Sequence, residues 1–194
     1  MSTALAYQED YEYEEEKRYE LINGEVYMMA RPTMDHVQIQ GNIFNVFKNY
    51  LKGKRCRPFD DGDVFLSKKD NFVPDVMIVC NPEIIKKKGI FGAPDLVVEI
   101  LSPSTANKDR GLKFKTYEKF GVKEYWIVSP EAKTVEVYLL NEGKLEFNYS
   151  YLIYPDYEWE SLTEEEKAEV KMEIKVSLYD DFYVKLEDIF EDVE

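Results

Sequence analysis

Hydrophobic and polar positions alternate or cluster in an order that predicts strands and helices interleaved along the chain. Two apolar runs, 19–22 and 26–29, flank Asn23-Gly24. Asn-Gly in that setting predicts a hairpin with a type I′ turn, since both residues accept positive φ. Pro32-Thr33 then opens a helix with Thr33 as its N-cap. Ile39, Ile43, Val46, Phe47 and Tyr50 recur at helical spacing, and Gly53 closes the helix. Strand-like runs follow at 55–59 and 64–66, with a turn at 68–71. Residues 72–80 are apolar apart from Asp75, and residues 95–101 are apolar apart from Asp95 and Glu99. Unbroken apolar strands imply a sheet covered on both faces. Ser102-Pro103 ends the second run, and Ser104 or Thr105 caps a helix that reaches about Phe120 and closes at Gly121. A strand at 125–128, a turn at 129–133, a hairpin partner at 134–140 and a further strand after Gly143 come next. Residues 162–171 read as a solvated helix or charged linker, and the last twenty return to apolar–polar mixing. The pattern predicts one α/β core, with a mixed central β-sheet flanked by helices and an added hairpin or meander.

Charge changes the picture through its distribution. The net charge is −14, yet residues 155–194 carry 15 acidic and 4 basic side chains, and residues 1–16 six acidic and no basic ones. The middle, 17–154, holds 18 acidic and 21 basic residues. The expected organisation is therefore an acidic extension (1–16), a catalytic-type core (17–154), and an acidic C-terminal segment (155–194) packing on that core. The mildly basic middle is compatible with nucleic acid, and the acidic ends could shield it until substrate displaces them. No apolar run approaches the ~18 residues that span a bilayer, and the N-terminus is acidic where a leader would be basic and then apolar. A cytoplasmic protein is expected. Cys56 and Cys80 lie in strand-like stretches and are expected as free core thiols.

Two acids inside apolar strands carry the chemistry. A buried carboxylate is costly unless paired, hydrogen-bonded or metal-bound. Side chains alternate along a strand, so Asp75 shares a face with Met77 and Val79, and Glu99 shares one with Val97 and Leu101. If the two strands are neighbours, the carboxylates converge, and oxygen-only ligation suits Mg²⁺ or Mn²⁺. The plainer alternative is that each acid caps a strand end or pairs with a nearby Lys or Arg, as Asp95 is expected to do after Pro94.

Val73-Pro74-Asp75-Val76 and Glu99-x-Leu101 resemble the PD-(D/E)xK nuclease pattern. The ordered series Tyr19-Glu20-Leu21-Ile22-Asn23-Gly24-Glu25, Met34-Asp35-His36, Asp95 through Thr105, Asp109-Arg110-Gly111-x-Lys113 and Gly121-Val122-x-Glu124-Tyr125-Trp126 resembles the Uma2 (DUF820) family over about residues 17–140. The resemblance implies a restriction-endonuclease-like fold, a Mg²⁺- or Mn²⁺-dependent endonuclease acting on DNA, and a metal held by Asp75, Glu99 and the backbone carbonyl of Ile100. The superfamily's lysine stands two residues after the Glu, where this chain has Leu101. The resemblance implies that the following helix supplies it instead, as Lys113. Lys113, Tyr117 and Phe120 share a helical stripe facing the sheet; the alternative for Lys113 is an ion pair with Asp109 at the surface. Glu20 and His36 are further candidates, with a solvent-facing strand residue and a partly buried structural histidine as their plainer readings. As the chain's single histidine, His36 cannot build a multi-histidine metal site.

Lys86-Lys87-Lys88, between the two key strands, is a candidate phosphate contact or a solvated charge run. Cutting both strands implies a homodimer, for which the aromatics of 149–157 are candidate interface residues. Two other readings stay open: a catalytically inactive module of this fold that binds nucleic acid or a protein partner, and an enzyme acting on another phosphodiester or nucleotide. No Walker-type loop supports the last.

Overall fold

The computed structural model describes residues 18–103 and 105–193. The acidic segment 1–16 and the capping candidate Ser104 lie outside the described residues.

The chain opens with the predicted hairpin, β1 (Tyr19–Ile22) and β2 (Glu25–Met28), turning at Asn23 (φ 53°) and Gly24 (φ 87°). Helix α1 (Met34–Leu51) follows, with the Thr33 side chain accepting a hydrogen bond from the His36 amide. Its Ile39, Ile43, Phe47 and Leu51 are buried, one face as the spacing required. Next come β3 (Arg57–Asp60), β4 (Val64–Ser67), β5 (Asp70–Phe72), β6 (Val76–Val79), the short strands β7 (Ile85–Lys86) and β8 (Gly89–Ile90), and β9 (Leu96–Ile100). A helical stretch begins as α2 (Ala106–Lys108), widens into a π-helical segment (Asp109–Lys113), and ends as α3 (Phe114–Phe120), with Gly121 left-handed at φ 81°. Strands β10 (Glu124–Ser129), β11 (Thr134–Asn141) and β12 (Lys144–Leu152), helices α4 (Asp156–Ser161) and α5 (Glu164–Glu169), strands β13 (Glu173–Lys175) and β14 (Tyr183–Lys185), and α6 (Leu186–Ile189) complete the fold.

The strands form two mixed sheets and a small hairpin. One sheet has the order β2-β1-β5-β4-β8-β7, the other β12-β11-β10-β9-β6-β3, and β13 pairs with β14. β9 and β10 are parallel, joined by the α2–α3 crossover, while β6 and β9 are antiparallel. The second sheet is covered on both faces, which explains its unbroken apolar strands. On one face Val76, Ile78, Val98 and Trp126 pack with α1 and with Ile174, Phe182 and Val184 from the C-terminal region. On the other, Met77, Val97 and Tyr125 pack with Tyr117 of α3 and with Ile22 and Phe72 of the first sheet.

Three expectations change. The run 72–80 is not one strand: β5 belongs to the first sheet and β6 to the second, and Val73-Pro74-Asp75 is the crossover. Pro74 has no N–H to give a ladder, so the break falls there. Asp70 and Asn71, read as turn, sit in β5. Cys56 and Cys80 are not free thiols but disulfide-bonded. Antiparallel pairing of β3 with β6 sets Arg57 opposite Val79, and so brings together two cysteines 24 residues apart. Of the aromatics at 149–157, Tyr151 is core and Tyr157 is exposed. Residues 162–171 include α5, stabilised by a Thr163–Glu166 capping box.

Candidate active site

Asp75 stands one residue before β6, where the chain passes from one sheet to the other. Continuing the Val76↔Val98 register by one step sets it opposite Glu99 on β9. Its side chain turns to the rim of the sheet. Oδ2 accepts a 2.6 Å hydrogen bond from the Ile100 amide, and Oδ1 lies 2.9 Å from His36 Nε2. One turn further along α1, Gln40 donates to the Asp75 carbonyl at 3.0 Å. Burial opposes charging of the imidazole, but the hydrogen bond and charge of Asp75 outweigh it and raise the His36 pKa.

Lys113 ends the π-helical segment and points inward. Its Nζ lies 2.7 Å from Glu99 Oε1, 2.9 Å from Glu20 Oε1 and 3.6 Å from Asp109 Oδ1. A π turn adds a residue to the helical repeat, and such turns recur at functional sites. Asp109 and Lys113, four residues apart in this segment, are both buried. The Tyr117 hydroxyl donates to the same Glu99 oxygen at 2.7 Å. Glu20 also accepts from the Val73 amide at 3.0 Å, tying the hairpin to the crossover.

The cluster is short of positive charge. Glu20, Asp75, Glu99 and Asp109 line one cleft of about 620 Å³ with Lys113 and His36. Burial pushes the Glu99 carboxyl well up, against the pull of Lys113 and with help from Asp109, Asp75 and Glu20. Burial likewise raises Asp109. Burial disfavours the Lys113 ammonium, yet Glu99, Glu20 and Asp109 raise its pKa above the ordinary lysine value.

The structure thus brings together Asp75, Glu99, Lys113, Glu20 and His36. Glu20 is buried, not solvent-facing, and Lys113 meets Asp109 inside the protein, not at its surface. Asp95 does cap a strand end, accepting from the Cys80 amide and pairing with Lys123. The inward role of Asp109, the Tyr117 hydroxyl and Gln40 went unread. The signals were there: Asp109 and Tyr117 are four residues either side of Lys113, and Gln40 is four beyond His36. Lys86-Lys87-Lys88 does not line the cleft. These residues follow from β7, at the opposite end of the first sheet from the hairpin, so the charge run is read as solvated. Besides Lys113, the cations that line the cleft are Arg18, Arg31 and Lys108.

Among the described residues no three His, Cys, Asp or Glu side chains form a ready metal-binding group. The donor chemistry nevertheless fits a hard divalent cation. Asp75 and Glu99 are oxygen donors opposite each other in the sheet, and the cluster's excess negative charge is what such an ion offsets.

The chain matches the family Uma2, described as "Putative restriction endonuclease", over residues 6–172. It belongs to the Uma2 family. A stretch of 143 residues is 32% identical to "Uncharacterized protein slr1290" of Synechocystis sp. (strain ATCC 27184 / PCC 6803 / Kazusa), covering 71% of this chain and 75% of that protein. The fold is similar to a crystal structure described as "a putative nuclease belonging to DUF820" from Anabaena variabilis ATCC 29413, with a TM-score of 0.69, 22% identity and 92% of each chain covered. At that identity the likeness shows the fold, and the mixed α/β architecture expected of a Uma2 protein is the one observed.

Proposed function

We propose that this Uma2 protein is a metal-dependent endonuclease that hydrolyses phosphodiester bonds in DNA. The observation that carries the reading is Lys113, which leaves the helix after β9 to meet Glu99 at 2.7 Å beside Asp75. The lysine displaced from the strand therefore returns to the acids in space. Family membership supports nuclease chemistry, and the acid-acid-lysine set supplies the groups for it.

Asp75, Glu99 and the Ile100 carbonyl would hold Mg²⁺ or Mn²⁺, and Glu20 would hold Lys113 beside them. Such an ion, when bound, lowers the pKa of water and offsets charge on the phosphoryl oxygens. Lys113 stays protonated, so its role is to orient the nucleophile and stabilise negative charge, not to act as a base. Tyr117 holds Glu99, while His36 and Gln40 hold the Asp75 side chain and backbone. DNA is met in the cytoplasm, and among the described residues no helix is long and apolar enough to cross a membrane. The disulfide is the feature that sits oddly with a reducing compartment.

A specific observation also favours the non-cutting alternative. Both Asp75 oxygens and Glu99 Oε1 already have protein partners. Calorimetric titration of Mg²⁺ and Mn²⁺ into wild type and Asp75→Ala, with nicking of supercoiled DNA assayed on the same samples, separates the two. Metal binding and nicking that vanish in the variant support the enzyme. Nicking that survives Asp75→Ala refutes the site, and no metal binding with DNA present supports the binding module.

A further inference from the structure

The cleft wall that leads from β2 into α1 is not accounted for by phosphodiester chemistry. Met28, Met29, Ala30 and Pro32 line it, and Val37 continues it onto the helix. Met28 is 62% exposed and Val37 44%. Large apolar side chains left in water at the mouth of a charged cleft mark a surface for an apolar ligand face. A thioether suits the flat face of an aromatic ring. Besides Lys113 at the bottom and Arg18, which pairs with Asp61, the cleft holds Arg31 within the strip and Lys108 on α2. The Lys108 ammonium sits 5.1 Å from the centre of the Tyr27 ring of β2. The chemistry lies at the bottom, where the side chains of Lys113 and Glu99 are 4% and 5% exposed.

We infer that this cleft takes an unpaired stretch of nucleic acid, with a base against the 28–32 strip and flanking phosphates on Arg31 and Lys108. The inference rests on the nuclease reading and adds the class of substrate. In a duplex the neighbouring base pairs cover each base face, so only an unpaired or extruded nucleotide presents one. The cleft's 620 Å³ is of the size that takes a small ligand, about 300–1,000 Å³. Contact through a base face also makes recognition tolerant of sequence, since every base has one.

Fluorescence anisotropy on the full chain tests this, in Ca²⁺ and again in EDTA so that binding is read without cutting. The probes are a labelled oligothymidylate of about 12 nucleotides, within the site sizes of single-strand binders, and a blunt duplex of the same length. The single strand should bind about tenfold tighter or more, the preference expected when a base face is read. Met28→Ala should weaken single-strand binding about fivefold and leave its salt dependence unchanged, because stacking involves no counterion release. Lys108→Ala should lower the slope of log K against log salt by about 0.7. Both side chains are at least partly exposed, so the variants keep the fold. Duplex bound equally or more tightly, or both variants binding like wild type, overturns the inference. If Asp75-dependent nicking persists in that case, the nuclease proposal stands alone. No binding to either probe overturns the inference too, and Asp75-dependent nicking of supercoiled DNA decides the nuclease reading separately.

Discussion

Replacing Lys113 by methionine tests the electrostatics of the site most directly. The ammonium is the shared partner of Glu99 at 2.7 Å, Glu20 at 2.9 Å and Asp109 at 3.6 Å, all four groups buried. Methionine keeps the volume and removes the charge, leaving three carboxylates without their cation. Breaking a buried pair in this way costs about 3–5 kcal/mol. For a domain of this size each kcal/mol lowers Tm by about 2–4 °C, so the expected loss is about 6–20 °C. The loss has a definite pH dependence. Carboxylates whose folded pKa is raised bind protons in the folded state that the unfolded chain has released. Stability therefore falls as pH rises from the unfolded carboxylate value through the folded one. In the variant Glu99 and Asp109, already raised by burial, rise further without Lys113. The deficit should be largest at roughly pH 8 and shrink towards roughly pH 5. Urea melts of both proteins across that range measure it. A deficit below about 1 kcal/mol at the alkaline end, the level of a surface pair, or one independent of pH, would refute Lys113 as the counter-charge of the cluster.

Three further predictions follow from single contacts. His36 is the chain's one histidine, so its proton NMR titration is unambiguous: the midpoint should lie above 6.5 in wild type and drop in Asp75→Asn. Because the folded pKa is raised, the stability from this contact is present below 6.5 and lost as pH rises through the folded value; a midpoint at or below 6.5 in wild type contradicts the pairing. Glu124→Gln leaves one carbonyl oxygen for donors now served by two, Trp126 Nε1 at 2.6 Å and the Ser177 amide and hydroxyl at 2.7 and 2.6 Å. The cost should be about 1–3 kcal/mol, with faster hydrogen exchange in β13 and β14; unchanged exchange would show that Glu124 does not anchor this region. Gly89→Ala should destabilise by at least about 1–3 kcal/mol, because φ is +143° and the new Cβ would sit 2.5 Å from the Asp63 carbonyl oxygen; a thermal melt like wild type's would mean that the close approach of β8 to Asp63 yields freely.

What could be read from the sequence was what local chemistry decides. Asn23-Gly24, Thr33 and Gly121 each set a turn or helix end within a few residues, and the structure has them there. The stripe of Ile39, Ile43 and Phe47 named the buried face of α1. The acids were visible because their neighbours are apolar. Non-local pairing was not visible. Cys56 and Cys80 meet only through the β3–β6 register, and Glu20 meets Lys113 across 93 residues. The split at Val73-Pro74-Asp75 was hidden because Phe72 and Val73 run into the apolar Val76–Val79 with only Pro74 and Asp75 between, although Pro74 was the clue. Lys86-Lys87-Lys88 was close in sequence to the key strands but at the wrong end of its sheet. The C-terminal segment, acidic by charge and expected to pack on the core, contributes Ile174, Phe182 and Val184 to the main core itself. Removing residues 155–194 would therefore expose that core, and is not a clean test of shielding by the acidic end.

The crossover at Val73-Pro74-Asp75 acts as an assembly checkpoint. Its amide at Val73 is held by the hairpin, its carbonyl at Asp75 by α1, and its carboxylate by β9. Lys113 arrives later in the chain and bonds to two of those elements. A ribosome-bound chain that has not yet emitted α3, or a molecule in which either sheet has opened, has the acids but not their arrangement. The acid–lysine arrangement therefore exists only in the finished molecule, and is lost when either sheet opens.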